Sequence, residues 1–264
     1  MTRDRALRAG LAAATALSLV LGPAAATALA EPAVAADTVA EQGLPLIGVV
    51  NARDAGGYRT ADGRRVRTGL VLRTGALDKA TDADLADLAA RGVRVVEDLR
   101  TSYERIAGPD RLPEGAAGAI RDVMAQASPL AAVAALAGGA DMYRGFITTP
   151  GANEAFAAVL RDIATTDGAV LYHCSAGKDR TGWTSAVLLT LLGVDRATVT
   201  EDYLLSNVFR HAAPGDVLNG VDAAWLDAAF DQVDRSYGDF DGYVRDGLGL
   251  SAAEVAALRD KLLA

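Results

Sequence analysis

Apolar and polar positions alternate along this chain in two rhythms, short buried runs and helical stripes. Leu46–Val50 is a short apolar run that reads as a strand, leading into Asn51-Ala52-Arg53-Asp54-Ala55-Gly56-Gly57-Tyr58. Ala61-Asp62-Gly63 is a turn signal, and Gly69–Arg73 reads as the strand that follows. Thr81 is placed to cap a helix running to Ala90, with Leu85, Leu88 and Ala89 on one face and Gly92 as its stop. Val93–Val96 predicts the next strand, ending at Glu97-Asp98-Leu99-Arg100. Residues 101–118 read as loop, with Pro109, Pro113 and three glycines, and Ile120–Met124 as another strand. Helices are expected over Pro129–Ala137 and Ala152–Ile163. Gly168–Tyr172 is a fully apolar run of the kind a central parallel strand needs, and Trp183–Leu192 an apolar helix ended by Gly193. The tail reads as helices over Ala197–Asn207, Val221–Val233, Phe240–Arg245 and Ala252–Leu263, the last capped by Ser251. Strands alternating with helices predict an α/β fold. Its central sheet should be mostly parallel, flanked by helices, with a helical C-terminal region.

The first 36 residues break this rhythm. Arg3, Arg5 and Arg8 precede an apolar stretch from Ala9 to Leu21, and small residues then end in Ala28-Leu29-Ala30 before Glu31. This is the layout of a secretory signal peptide, 1–30, with a second possible cleavage site as late as 36. A single domain, 37–264, remains, and secretion is the expected localisation. No later stretch is long and apolar enough to span a bilayer, so no stable membrane insertion is expected.

Composition narrows the chemistry. The 264 residues carry a net charge of −8, a poor match to nucleic acid, so any anion site must be local. One cysteine, Cys174, excludes internal disulfides, Cys-rich zinc sites and iron–sulfur clusters, and two histidines, His173 and His211, offer little for a metal site. No metal and no cofactor are expected. Lysines are few: Lys79, Lys178 and Lys261 are all there are among 26 basic residues.

Lys178 lies in the densest motif of the chain, His173-Cys174-Ser175-Ala176-Gly177-Lys178-Asp179-Arg180-Thr181-Gly182, between a buried strand and an apolar helix. A strand that re-enters a helix within a few residues curls its amide N–H groups inward and adds the helix N-terminus, a nest for a tetrahedral oxyanion. Gly177 frees the backbone to curve. Cys174 sits at the start of that positive field, which favours the nucleophilic thiolate. Arg180 can fold back and bind two phosphate oxygens with its planar fork. Lys178 adds a second cation. Thr181 can give the sulfur a hydroxyl hydrogen bond, and His173 tunes the thiolate and the loop. Ser175, Ala176, Gly177, Lys178, Asp179 and Arg180 are thus the candidate phosphate-binding residues, and in-line attack of sulfur on a phosphoryl group is the chemistry they suit.

This motif resembles that of the cysteine-dependent phosphatases, His-Cys-x-x-Gly-x-x-Arg-[Ser/Thr]. It is most similar to the bacterial tyrosine phosphatase family that includes mycobacterial protein tyrosine phosphatase B. Asn51, Arg53, Asp54, Gly56 and Gly57 match that family's N-terminal motif, and Asp98-Leu99-Arg100 its mid-chain Asp-Leu-Arg. Tyr203–Asn207, Tyr237-Gly238 and Tyr243-Val244-Arg245 match its C-terminal elements. The resemblance covers most of residues 45–264. It implies a tyrosine-phosphatase-like fold, a phosphocysteine intermediate on Cys174 and phosphate binding by Arg180. It points to Asp98 and Asp179 as functional; as proton donors to the leaving group these two rank equally, with Asp110, in Gly-Pro-Asp, below them. Asp98 could instead simply pair with Arg100. Arg53 and Asp54 either brace the loop or reach substrate, or form a structural pair in a Gly-rich turn.

The expected function is a secreted protein-tyrosine phosphatase acting on phosphorylated protein. A dual- or triple-specificity enzyme that also accepts phosphoinositides keeps the same chemistry, and a phosphate-dependent binding protein would use the nest without turnover. No feature asks for an oligomer, so a monomer is expected. The loop between Asn207 and Val221 is too short for a helical lid, which implies an open site and a poorly shielded thiol.

Overall fold

A computed structural model describes residues 42–128 and 138–264. The signal peptide over 1–36 and the helix expected over Pro129–Ala137 lie outside the described residues. Among these, β1 (Arg53–Asp54), β2 (Val71–Thr74), β3 (Val93–Asp98), β4 (Ala117–Ile120) and β5 (Ala169–His173) form one sheet in the order β1-β2-β5-β3-β4. β1 pairs antiparallel with β2, and the other pairings are parallel. The α/β class with a mostly parallel sheet is as the sequence predicts.

The helices are α1 (Asp82–Ala90), α2 (Ser102–Ala107), α3 (Ala140–Thr148), α4 (Ala152–Thr165), α5 (Arg180–Leu191), α6 (Arg196–Phe209) and α7 (Ala223–Tyr237). They are followed by α8 (Phe240–Gly242), which runs into a π-helical turn at Tyr243–Gly247, and by α9 (Ala252–Leu262). None of them is long and apolar enough to cross a membrane.

β5 shows why the sheet is central. All five of its residues are buried, and they alternate between two cores. Val170 and Tyr172 face the larger one, with Phe146, Phe156, Trp183 and Leu258. Ala169 and Leu171 face the smaller one, with Leu72, Leu77, Leu88 and Val96. A strand covered on both faces has no use for polar alternation, which is why it reads as a continuous apolar run. α5 is buried almost all round for the same reason.

Register places the site. Thr74 of β2 and Asp98 of β3 both stand beside His173, the last residue of β5. Three parallel strands therefore end together, and the loops leaving them meet at one edge, where open α/β sheets bind ligands.

Three expectations are corrected. Leu46–Val50 is not a strand. The N–H groups of Ile47 and Gly48 donate to the Asp84 carboxylate (2.7 and 2.8 Å), and Ile47 is exposed, so the run wraps the start of α1 instead of joining the sheet. Residues 101–118 are not all loop: Thr101 and Glu104 close a capping box that starts α2. The strand expected over Ile120–Met124 lies earlier, at Ala117–Ile120.

Candidate active site

The loop between β5 and α5 is built by tying its carbonyls outward. The Ala76 N–H donates to the Ser175 carbonyl (3.2 Å), and Arg210 Nη1 to that of Ala176 (3.1 Å). The Gly177 carbonyl accepts from Asn51 Nδ2 (2.7 Å) and Arg73 Nη2 (3.2 Å). With successive carbonyls held to the outside, the amide N–H groups are left for the inside, as an anion nest requires. Gly177 has φ of +67°, and a Cβ there would lie 2.5 Å from the Thr74 carbonyl oxygen. Both the conformation and the close approach demand glycine. Cys174, a free thiol, begins the loop and is 2% exposed. The Thr181 hydroxyl is buried without a hydrogen-bond partner, so the bond expected from it to the sulfur is not formed in this structure.

Behind the loop lies a buried charge cluster. Arg53 donates through Nη1 to Asn51 Oδ1 (2.5 Å) and through Nε to Asp202 Oδ1 (3.4 Å). Arg73 Nη1 binds Asp202 Oδ2 (2.7 Å), and Tyr58 Oη donates to Asp202 Oδ1 (2.9 Å). Burial and the neighbouring Arg73 bring the Arg53 guanidinium down to about 10. Burial works to raise the Asp202 carboxyl, but Arg73 and Arg53 outweigh it and hold Asp202 below the usual range. Arg53 thus braces the loop through Asn51. Asp54 does neither of the things expected of it. Its carboxylate accepts from the N–H groups of Gly56 (2.7 Å) and Gly69 (2.6 Å), fixing the turn rather than pairing with Arg53.

Arg180, the first residue of α5, is held by a residue the sequence reading passed over. Its Nη1 and Nη2 donate to Glu104 Oε2 (2.8 Å) and Oε1 (2.6 Å), and the Ser175 hydroxyl donates to Glu104 Oε1. Burial works against the Arg180 charge, but its bonds to Glu104 and the nearby Cys174 and Asp179 side chains raise its pKa above the ordinary value.

The structure separates the two acid candidates. Asp98 Oδ1 accepts from the Arg100 N–H and Nε (both 2.9 Å), and Oδ2 from Arg100 Nη2 (2.8 Å), so its carboxylate is engaged on both oxygens. Asp179 is the N-cap of α5 but makes no capping bond. Its Oδ1 accepts from Tyr143 Oη (3.0 Å), and burial pushes its carboxyl up. Asp110 joins the Asp98 group: its Oδ2 lies 2.6 Å from Arg100 Nη2 and 3.0 Å from His173 Nε2. Asp98, Asp110 and His173 are close enough to share a metal ion, but the Arg100 guanidinium already supplies positive charge to both carboxylates.

Lys178 differs from expectation. Its ammonium donates to the carbonyls of Val217 (3.0 Å) and Gly220 (2.7 Å) and lies 5.6 Å from the centre of the Trp225 ring, while remaining 3.8 Å from Asp179 Oδ2. Residues 210–222 themselves are turns with no helix, so no helical lid arises from that segment.

Other residues to which the sequence reading gave no role in the site are Arg73, Asp202, Tyr143, Tyr203 and Arg210. For Glu104 a signal existed in the Thr101-x-x-Glu104 spacing of a capping box. Tyr143 was marked only by the helical spacing of Tyr143, Phe146 and Ile147.

Known proteins resemble this chain over most of its length. A sequence model described as the tyrosine phosphatase family matches residues 44–264. A protein of Cupriavidus necator, named as a tyrosine-protein phosphatase, is 35% identical, over 82% of this chain and 86% of its own length. The triple specificity protein phosphatase PtpB of Mycobacterium tuberculosis is 31% identical, over 83% and 98%. A tyrosine-protein phosphatase of Nostoc commune is 30% identical, over 72% and 73%. The solved structure of P. aeruginosa TpbA aligns with a TM-score of 0.40 at 16% identity, covering 74% of this chain and 98% of that one. The chain belongs to the tyrosine phosphatase family.

Proposed function

We propose that this phosphatase is secreted and hydrolyses phosphotyrosine in proteins through a phosphocysteine intermediate. Cys174 Sγ attacks phosphorus as the ester P–O bond breaks, and Asp179 gives its proton to the leaving phenolate oxygen. Water then attacks the phosphocysteine, the P–S bond breaks, and Asp179 takes the proton back. Arg180 and the loop amides carry the charge on the equatorial oxygens. The observation that supports this most is the placement of Cys174 and Arg180 at the two ends of a loop whose carbonyls are tied outward. Asp179 is preferred to Asp98 as the acid because its carboxyl is pushed up by burial, whereas Asp98 is held by Arg100 at both oxygens. Asp98 and Asp110, joined through Arg100, then set His173, whose Nδ1 bonds the Cys174 carbonyl where the loop begins.

A chromogenic phosphate-ester assay across pH tests the mechanism. Cys174→Ser should abolish turnover while vanadate still binds. Asp179→Asn should lose the basic limb of the profile, and Asp98→Asn should keep it. Substantial turnover by Cys174→Ser would refute the mechanism. Secretion rests on residues 1–36 and is tested by the N-terminus of protein recovered outside the cell.

A broader specificity, extending to phosphoserine, phosphothreonine and phosphoinositides, is favoured by the similarity to PtpB, whose name carries triple specificity. A panel of phosphopeptides and soluble phosphoinositides decides between the two.

A further inference from the structure

Asp179 sits at the end of a chain of two buried phenols. Tyr203 Oη, on α6, donates to Tyr143 Oη at 2.6 Å, and Tyr143 Oη, on α3, donates to Asp179 Oδ1 at 3.0 Å. The two rings meet edge to face with centroids 5.9 Å apart, and Trp225 of α7 packs 6.2 Å from Tyr143. Neither phenol has a second role that would explain its hydroxyl, and a core position with no polar task would be filled more stably by phenylalanine.

We infer that Tyr143, backed by Tyr203, is a positioning residue for Asp179, fixing Oδ1 as the acceptor oxygen so that the catalytic proton is carried on Oδ2. The inference rests on the reading of Asp179 as the acid. Each phenol has one proton, and both are committed in one direction, toward the carboxyl. Oδ1 can accept this bond whether Oδ2 is protonated or bare, and accepts it more strongly when Oδ2 is bare. The carboxyl therefore need not rotate between giving the proton to the leaving oxygen and taking one from water. In the first step the Oδ2–H bond breaks as the ester P–O bond breaks and S–P forms. In the second, a water proton moves to Oδ2 as O–P forms and P–S breaks.

The surrounding charges are compatible with that role. Lys178 Nζ lies 3.8 Å from Asp179 Oδ2, and Arg180 and Arg210 act on the carboxyl from farther off, all three favouring the charged form against its burial. Burial raises both phenols well above the ordinary tyrosine value, and Asp179 pushes in the same direction, so they remain neutral donors wherever Asp179 titrates. Asp222, ahead of α7, and Arg73 bear on Tyr203 with opposite signs. Losing the Tyr143 bond removes a donor that favours the carboxylate, and should raise the Asp179 pKa.

The test is the pH dependence of kcat/KM of the full chain and its Asp179→Asn, Tyr143→Phe and Tyr203→Phe variants. Phenyl phosphate, with a poor leaving group, is compared with p-nitrophenyl phosphate. Asp179→Asn should remove the basic limb and cost on the order of 10² with phenyl phosphate, and less with the nitrophenyl ester. Tyr143→Phe should move that limb up by about one pH unit and lower kcat about tenfold with phenyl phosphate, with KM nearly unchanged. Tyr203→Phe should shift the limb the same way by less, and carries the test alone if Tyr143→Phe does not fold. If Asp179→Asn keeps the limb, the acid assignment falls and the relay with it. If Asp179→Asn loses the limb while both tyrosine variants leave it in place, the relay alone is overturned.

Discussion

Glu104 and Arg180 face each other end to end, two parallel N–H···O bonds joining carboxylate and guanidinium across 76 residues of sequence. The same Glu104 Oε2 also accepts from the Thr101 N–H and hydroxyl (both 2.8 Å). One carboxylate thus starts α2 and sets the direction of the phosphate-binding fork. Held in this way, Arg180 meets a phosphoryl group without first losing side-chain freedom.

Glu104→Gln should therefore keep the α2 cap but release Arg180. Hydrogen bonds to a charged group are worth about 1.5–3 kcal/mol, so kcat/KM should fall roughly 10- to 100-fold. Steady-state kinetics with p-nitrophenyl phosphate measures it, alongside a circular dichroism spectrum that should not change. A variant with full kcat/KM would show that Arg180 needs no such anchor.

Asp202 lies between two buried guanidiniums, Arg53 and Arg73, and through them it holds Asn51 and the Gly177 carbonyl. Asp202→Ala leaves both cations uncompensated and should cost about 3–5 kcal/mol. Urea denaturation should show the midpoint falling with an unchanged slope. A loss under about 1 kcal/mol would mean that water or another group reaches the arginines.

Lys178 offers the clearest contrast between sequence and structure. Its two carbonyl bonds make it a fastener for residues 217–220. Lys178→Ala should lower the melting temperature by several degrees, as a loss of about 2 kcal/mol implies. Inhibition by inorganic phosphate should change by less than about threefold, since no bond from the ammonium into the nest is removed. A tenfold weaker phosphate would return the ammonium to the anion.

How much of this was legible beforehand follows from where the partners lie in sequence. The loop from His173 to Thr181 is contiguous, so its residue types and spacing could be read directly. β5 and α5 were legible because burial on all sides leaves an unmistakable apolar run. Arg73 and Asp202 were not legible, because a buried ion pair between distant residues leaves no periodic trace. Glu104 was hidden in a segment whose glycines and prolines masked one short helix. Leu46–Val50 misled because five apolar residues look alike in a strand and in a loop held by Asp84. Lys178 misled because motif position fixes the backbone, while a four-carbon side chain goes where acceptors are.

Glu97 gives the fold a pH dependence independent of the site chemistry. It is fully buried on β3, with Arg121 Nε 2.9 Å from its Oε2 and Asp162 near by on α4. Burial, reinforced by Asp162, pushes its carboxyl up to about 8, with Arg121 only partly offsetting the rise. In the unfolded chain the same group titrates near 4.3. Between those values the folded state holds a proton that the unfolded state has lost, so stability falls as pH rises through this window. The slope is at most about 1.4 kcal/mol per pH unit. Glu97→Gln should mimic the protonated form and leave Arg121 to Asp162. Urea unfolding at pH 5, 6.5 and 8 should show the variant close to wild type at pH 5 and more stable than wild type at pH 8. Parallel curves at all three pH values would mean that Glu97 stays charged in the folded protein and that Arg121 outweighs its burial.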